Sequence, residues 1–161
     1  MGRFRRSPVL ADWIRRVAES LGVGRTVLCG SSGGVAALQV SAESPDSICV
    51  TLNPRISINN YLVEGVHMGP QRRYVEVVWP HLAPVPLASL RPNVDWHSGL
   101  GDRVTAGLRY KQNVNNRVLY VQSTNDTSHV HDHYQPFRDV VSSGPNRNLS
   151  LIHISEPTRL L

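Results

Sequence analysis

Residues 26–38, which read TVLCGSSGGVAAL, constrain the fold more than any other part of the chain. An apolar, β-branched run ends abruptly in a glycine-rich turn, and small helix-compatible residues follow, which is the pattern of a strand, a sharp turn and a helix. Within this segment, Gly30, Ser32 and Gly34 have the spacing G-x-S-x-G. That spacing is typical of a serine held at the tip of a strained strand-to-helix turn. Ser32 is therefore a candidate nucleophile.

The glycines of this turn meet a steric requirement and supply an electrostatic one. Side chains at Gly30 and Gly34 would collide with the neighbouring strand and helix, so glycine is required at both positions. The backbone N–H of Gly33 comes at the start of the following helix, where it is placed to stabilise an oxyanion. A turn without chemistry and a phosphate-binding turn are alternatives. A phosphate loop, however, would carry a lysine after its glycines, and none follows here.

The rest of the chain predicts an α/β fold with a parallel sheet and flanking helices. Short apolar runs alternate with helical periodicity, an order that favours βαβ units with right-handed crossovers. Between them, residues 65–102 contain five prolines and predict an irregular excursion over the sheet. A lid is one interpretation of this excursion. The predicted helices are 7–21, 33–42, 56–63 and 102–110, and the predicted strands are 25–29, 47–52 and 117–122.

Composition narrows the functional classes. With 161 residues, of which 40% are apolar, the chain has the bulk of one domain. The net charge of +5 comes from dispersed arginines without an accompanying aromatic motif, so we expect no nucleic-acid partner. No apolar run is long enough to span a bilayer. Cys29 and Cys49 both lie in predicted strands, which indicates buried, reduced cysteines rather than a disulfide.

A second group of chemically active side chains follows the strand 117–122. Asp126 comes just past the carboxyl end of this strand, and His129, His131 and His133 follow within one short loop. An acid at this position can orient the imidazole that deprotonates a serine. Ser32 and Asp126 occupy the first two places of the chain order Ser, Asp, His. We expect at least one residue of this loop to have a role in the triad loop, with His129 and His131 as the candidates.

The histidines also allow a metal-dependent alternative. The segment 129–133, HVHDH, resembles the H-x-H-x-D-H motif of the metallo-β-lactamase superfamily, but it lacks one residue between the second histidine and the aspartate. That deletion would re-aim side chains that must converge on two metal ions. Surface histidines at the start of a helix are a further alternative. We therefore assign no metal ligands from the sequence.

The tail of the chain has an unusual match. Residues 149–159, LSLIHISEPTR, are the translation of the Nextera transposon-end sequencing adapter over eleven consecutive codons. The sequence therefore predicts a partial domain over residues 1–148 and an adapter-derived tail over 149–161. Residues 149–154 alternate like a strand, and His153 falls where the order Ser, Asp, His would place the histidine. On this interpretation the true catalytic histidine was encoded downstream and is not His153.

The turn around Ser32, the segment 50–54 and the segment 120–130 together resemble the α/β-hydrolase superfamily. They are most similar to bacterial members found with polysaccharide and glycosyltransferase systems. The resemblance implies Ser32 as nucleophile, Gly33 as oxyanion-hole donor and Asp126 as acid, with a small-molecule or glycan-linked acyl substrate and no cofactor. Members of the superfamily have several strands before the serine turn, which comes about 30 residues into this chain. We therefore expect a fragment truncated at both ends.

These observations predict a serine hydrolase fragment that acts on an ester or acyl group through an acyl-enzyme. Because its histidine and one oxyanion-hole donor are not identified, the 161-residue chain is expected to be inactive. A non-catalytic binding or accessory module with a hydrolase-like fold is the alternative from a different functional class. The native sequence beyond Asn148 would discriminate the two, because only the enzyme requires a histidine after the next strand.

Overall fold

A four-stranded parallel sheet forms the centre of the protein. The computed structural model describes residues 6–31, 33–58, 60, 62–63, 66–67, 73, 76–77, 98–146 and 148–155. The strands β1 (Val27–Gly30), β2 (Ile48–Leu52), β5 (Arg117–Ser123) and β6 (Leu149–Ile154) lie side by side in that order, each parallel to its neighbour. Two shorter strands, β3 (Leu62–Val63) and β4 (Val66–His67), form an antiparallel pair. The predicted α/β class with a parallel sheet is confirmed.

The helices connect these strands. Helix α1 (Arg6–Ser20) precedes β1, and α2 (Gly34–Ala42) joins β1 to β2. Two 3₁₀ helices, Ser98–Arg103 and Ala106–Lys111, precede β5. After β5, α3 (Thr127–His129), a π-helical segment (Val130–Tyr134) and α4 (Gln135–Ser143) run on from one another.

One predicted element is not formed, and a second lies mostly outside the described residues. The helix predicted over 56–63 is wrong, because Ser57 forms an antiparallel bridge with Thr105 and Leu62–Val63 is a strand. Three β-branched isoleucine and valine residues in this stretch favour extended backbone over helix. Most of the predicted excursion over 65–102 lies outside the described residues. Its described parts include β4 and the start of the first 3₁₀ helix.

The core lies on one face of the sheet. Cys49, Val118 and Tyr120 project from the strands toward α2, the second 3₁₀ helix and α4. The Phe137 ring stacks on Tyr120, with ring centroids 5.3 Å apart, and meets the edge of Tyr110 at 5.2 Å. Aromatic contacts of this kind stabilise beyond the area that they bury. Burial also raises the pKa of the Cys49 thiol to about 12, which keeps this cysteine protonated.

The opposite face of the sheet and the outer side of α1 are more exposed than the sequence predicts. The strand predicted over 25–29 forms as β1, but β1 is an edge strand of the described sheet, and Val27 and Cys29 are exposed. The prediction that Cys29 is buried is therefore wrong. Helix α1 forms as predicted, yet Trp13 is 61% exposed, so much of its apolar stripe has no described partner.

A buried hydrogen-bond network holds the amino ends of β2 and β5 to the helix layer. The Asn116 side-chain amide donates to Ser41 Oγ at 2.7 Å and to the Tyr110 hydroxyl at 3.0 Å. The Tyr110 hydroxyl donates to the backbone carbonyl of Leu38 at 3.1 Å, and Ser41 Oγ lies 2.8 Å from Ser47 Oγ. Because these groups are buried, a polar atom that loses its bond here cannot form a new hydrogen bond to water.

We expect Asn116→Ala to lower the free energy of unfolding by about 1–3 kcal/mol, since it removes two buried hydrogen bonds. Urea unfolding followed by circular dichroism measures this change. The matched control is Asn115→Ala, because the Asn115 side chain is exposed and makes a single 3.5 Å hydrogen bond, to Asp46 Oδ1. Equal stability of the two variants would contradict a structural role for the network.

Residues 149–154, at the start of the predicted adapter-derived tail, form β6. This strand pairs with β5 along six residues, from Val118 opposite Leu149 to Ser123 opposite Ile154. Leu149 and Leu151 pack against the core, while Ile152 and Ile154 are exposed. Alternation of this kind is sufficient for an edge strand. The origin of the tail in the DNA is a separate question from its structure and stays a prediction.

Candidate active site

The first component of the candidate site is the turn between β1 and α2. Strand β1 ends at Gly30 and α2 begins at Gly34, each one residue later than the sequence predicts. The Gly34 N–H donates to the Ser31 carbonyl at 2.8 Å, which closes the turn. Gly33 is the N-cap of α2, so its backbone belongs to the helix N-terminus. The predicted nucleophile Ser32 lies outside the described residues.

The glycines of the turn differ sharply in the space around them. A Cβ atom on Gly34 would lie 2.2 Å from Pro54 Cβ and 2.8 Å from Pro54 Cα. A Cβ on Gly30 would lie 3.0 Å from Ala37 Cβ and 3.1 Å from the Gly33 carbonyl. Gly33 has no such neighbour within 4 Å. The turn thus approaches α2 on one side and the segment after β2 on the other.

Asp126 is the N-cap of α3, three residues after β5 ends. Its Oδ1 accepts the His129 N–H at 3.1 Å and the Ser128 hydroxyl at 3.0 Å. Its Oδ2 lies 2.7 Å from His129 Nδ1. The two atoms are close enough for an ion pair, but the geometry at the ring nitrogen is not that of a regular hydrogen bond. The structure therefore brings Asp126 and His129 together, with both side chains partly buried.

The surroundings of Asp126 favour its ionised form. Partial burial acts to raise the pKa of this carboxyl group, but the hydrogen bonds from the His129 N–H and the Ser128 hydroxyl, together with the contact to the His129 ring, outweigh it. The pKa is consequently lowered below its usual value. A helix N-terminus adds to the same preference for negative charge. An ionised carboxylate beside an imidazole fixes the orientation of the ring.

The remaining histidines of the loop have different environments. His131 is exposed, and its Nδ1 lies 3.2 Å from Gln135 Oε1. His133 is buried, its ring centroid is 5.3 Å from that of His129, and its Nδ1 accepts the Ile56 N–H at 3.4 Å. Burial lowers the pKa of His133 to about 3, and nearby His129 and Arg55 add to this effect. The spacing of four residues between His129 and His133 was the sequence signal for this shared helix face.

No metal site is formed by this arrangement. Among the residues that the structure describes, no three His, Cys, Asp or Glu side chains come close enough together to hold a metal ion. The ring of His153, in β6, contacts Tyr134 with centroids 4.3 Å apart. Among the histidines that the structure describes, His129 is thus the one in contact with Asp126.

The sheet order brings the separate components to one edge. In a parallel sheet all carboxyl ends lie together, and this edge is where open α/β sheets bind their ligands. The turn after β1, the segment 53–56 after β2 and the Asp126 loop after β5 are consecutive along it. The turn after β1 and the Asp126 loop are separated by two strand spacings, which is about 10 Å. A cavity of about 480 Å³ between α1 and the turn at 43–46 lies at the opposite edge.

The similarity of this chain to known proteins is limited. No protein-family model matches the sequence, and no curated protein sequence matches it. The backbone is similar to the crystal structure of a protein from Desulfitobacterium hafniense assigned to the α/β-hydrolase family. The TM-score is 0.44 at 10% sequence identity, and the match covers 92% of this chain and 67% of that chain. The α/β class itself follows from the sheet of this chain.

In the described part of the chain, no helix is both long enough and apolar enough to cross a membrane.

Proposed function

We propose that the chain carries the site of a serine hydrolase that acts on an ester or acyl group of a small-molecule or glycan-linked substrate. Ser32 is the nucleophile, Asp126 is the acid, and the Gly33 N–H is one oxyanion-hole donor. His129 is the base that this chain itself offers. The observation that carries the proposal is the 2.7 Å contact between Asp126 Oδ2 and His129 Nδ1, at the sheet edge where the G-x-S-x-G turn ends β1.

The proposed chemistry follows the order of a serine acyl transfer. Because Asp126 faces Nδ1 of His129, Nε2 is left to take the Ser32 hydroxyl proton as Oγ attacks the substrate carbonyl carbon. The Gly33 N–H stabilises the negative charge on the carbonyl oxygen. The leaving alcohol receives the proton from His129, which gives an acyl-enzyme on Ser32. Water, deprotonated by the same imidazole, then releases the acid and restores the hydroxyl.

A serine-directed fluorophosphonate tests the nucleophile without requiring turnover. We expect stoichiometric labelling at Ser32, identified by peptide mass spectrometry, because a single attack needs only the activated hydroxyl. Ser32→Ala should abolish the label, and Asp126→Asn should slow it by about 100-fold or more, since the asparagine cannot balance a protonated imidazole. Ser31→Ala is the matched control, because Ser31 is exposed and shares the same turn.

Turnover is a separate measurement. The 161-residue chain is expected not to hydrolyse a short acyl ester above the rate of Ser32→Ala, because only one oxyanion-hole donor is assigned. Turnover that Ser32→Ala abolishes would contradict this expected inactivity while supporting the serine mechanism. A folded chain that no phosphonate labels would contradict the serine mechanism itself and favour the non-catalytic binding module.

We also infer that residues 149–161 derive from a sequencing adapter. The eleven matching codons support this proposal. Reading the natural gene through the codon for Asn148 tests it, because an adapter origin requires a different sequence from residue 149 onward. A histidine after the next strand of that natural sequence would compete with His129 for the role of base. An unchanged sequence through residue 159 would overturn the adapter origin.

A further inference from the structure

Asn53 connects the ends of β2 and β5. Its backbone N–H donates to the Val121 carbonyl at 2.8 Å, which extends the ladder between the two strands by one bond. Its backbone then turns into the left-handed region, with φ of 45°. After this turn the side-chain Oδ1 accepts the Ser123 N–H at 2.6 Å. The side chain therefore takes the place of the strand carbonyl that the turn has moved away.

The same turn directs Pro54 toward Gly34, at the start of α2. The Pro54 ring lies against Gly34, where no Cβ fits. The Tyr120 hydroxyl, buried in the core, donates to the Pro54 carbonyl at 3.2 Å. Two residues later the Ile56 N–H donates to His133, whose ring lies beside His129. The segment 53–56 thus contacts the turn before α2 on one side and the histidine helix on the other.

The Asp126 loop is attached at the point that Asn53 holds. Ser123 donates its N–H to Asn53 and is also bonded to the loop. Its carbonyl accepts the Asp126 N–H at 3.4 Å, and its hydroxyl accepts the Asn125 N–H at 3.3 Å. A shift of Ser123 would therefore move Asp126 and the helix that it caps. Asparagine suits this position, because it tolerates the left-handed backbone better than other residues that have a side chain.

We propose that Asn53 is a positioning residue of the candidate site, which sets the Asp126–His129 pair relative to the turn that carries Ser32. This inference rests on the proposed serine chemistry. Asn53 touches neither Asp126 nor His129 in a described contact and acts through Ser123 and Pro54. Displacement of a catalytic group by about 1 Å can cost on the order of 100-fold in rate, so a positioning bond has a measurable effect.

Two substitutions separate the side chain from the backbone turn. Asn53→Gly keeps the left-handed backbone and removes the acceptor, whereas Asn53→Asp keeps both a short side chain and an acceptor for the Ser123 N–H. We expect Asn53→Gly to slow fluorophosphonate labelling of Ser32 by about 10- to 100-fold, and Asn53→Asp to restore it to within about 5-fold of the original protein. Labelling is measured against pH, well below the thermal midpoint of each variant.

The matched control is Asp46→Gly. Asp46 also has a left-handed backbone, with φ of 61°, but it precedes β2 and so lies at the opposite edge of the sheet. This variant should label at the original rate. Hydrogen exchange supplies a readout that does not need activity. The amides of His129 and Val130 donate to Asp126, so their exchange rates should rise in Asn53→Gly and stay the same in Asp46→Gly.

The outcomes distinguish the positioning role from the proposed function. If the original chain is labelled and Asn53→Gly is labelled equally fast, the positioning role is overturned and the serine mechanism stands. If the original chain is folded but not labelled, the serine mechanism fails, and the exchange of the His129 and Val130 amides decides whether Asn53 holds the loop. Equal losses of labelling in Asn53→Gly and Asp46→Gly would reduce the effect to general destabilisation and also overturn the role.

Discussion

Gly34→Ala is expected to lower the free energy of unfolding by about 3 kcal/mol or more, because the new methyl group would overlap the backbone of Pro54. Alanine normally stabilises a helix relative to glycine by about 1 kcal/mol, so the sign of the effect is opposite to helix propensity. Pro54 cannot yield easily, since its ring is rigid and its carbonyl is bonded to the buried Tyr120 hydroxyl. A loss of this size should lower the thermal midpoint by about 10 °C.

The neighbouring glycine provides the control for this prediction. Gly33→Ala places the same methyl group one residue earlier, at a φ of −84° and with no atom within 4 Å of the new carbon. Its free energy of unfolding should stay within about 1 kcal/mol of the original value. Urea titration of both variants measures the difference directly. Similar stabilities would show that the segment after β2 does not pack against Gly34.

Acidification is expected to destabilise the protein through His133. Its ring is buried and unprotonated at Nδ1, where it accepts the Ile56 N–H, and its pKa is lowered to about 3. In the unfolded chain the same group titrates near its ordinary value of about 6.5. Between these values the unfolded state binds a proton that the folded state excludes. Stability is therefore greatest above about pH 6.5 and falls by up to about 1.4 kcal/mol per unit as the pH approaches 3.

Unfolding free energies measured from pH 7 to pH 4 test this expectation against His133→Gln, which should lose most of the slope in that range. His131→Gln is the matched control, because His131 lies on the same helix but is exposed. That control should keep the slope of the original protein. The Asp126 carboxyl, whose pKa is lowered, contributes to both variants equally and only near the acid end. A slope that His133→Gln leaves unchanged would contradict the assignment to His133.

The sequence predicted the elements of the sheet well where the local pattern was decisive. The change from a β-branched run to glycine and then to small residues marked β1, the turn and α2 to within two residues. Helix α1 and strands β2 and β5 also formed where apolar periodicity indicated them. The helix predicted over 56–63 was wrong because Ser57 pairs with Thr105, almost fifty residues later along the chain. A bridge between such distant residues leaves no local pattern.

The candidate site was predicted in part. Asp126 and His129 were named from their place after a strand, and the structure adds that they are in contact. The prediction for Ser32 concerns a residue outside the described part of the chain and stays a prediction. Asn53 was included only in the segment 50–54, with no role assigned to it. Its bond to Ser123 spans seventy residues of sequence and required the pairing of β2 with β5 to be seen.

The sequence by itself determined the α/β class, the position of the strand-to-helix turn and the place of Asp126 after β5. These properties depend on contacts between residues a few positions apart, which residue type and spacing encode directly. Only the tertiary structure decided which strand lies at the edge, which histidine is buried and which residue joins the two ends of the site. Those outcomes depend on the sheet order, which places β2 between β1 and β5. The turn at Gly34, the hydrogen bonds of Asn53 and the loop at Asp126 are neighbours for that reason.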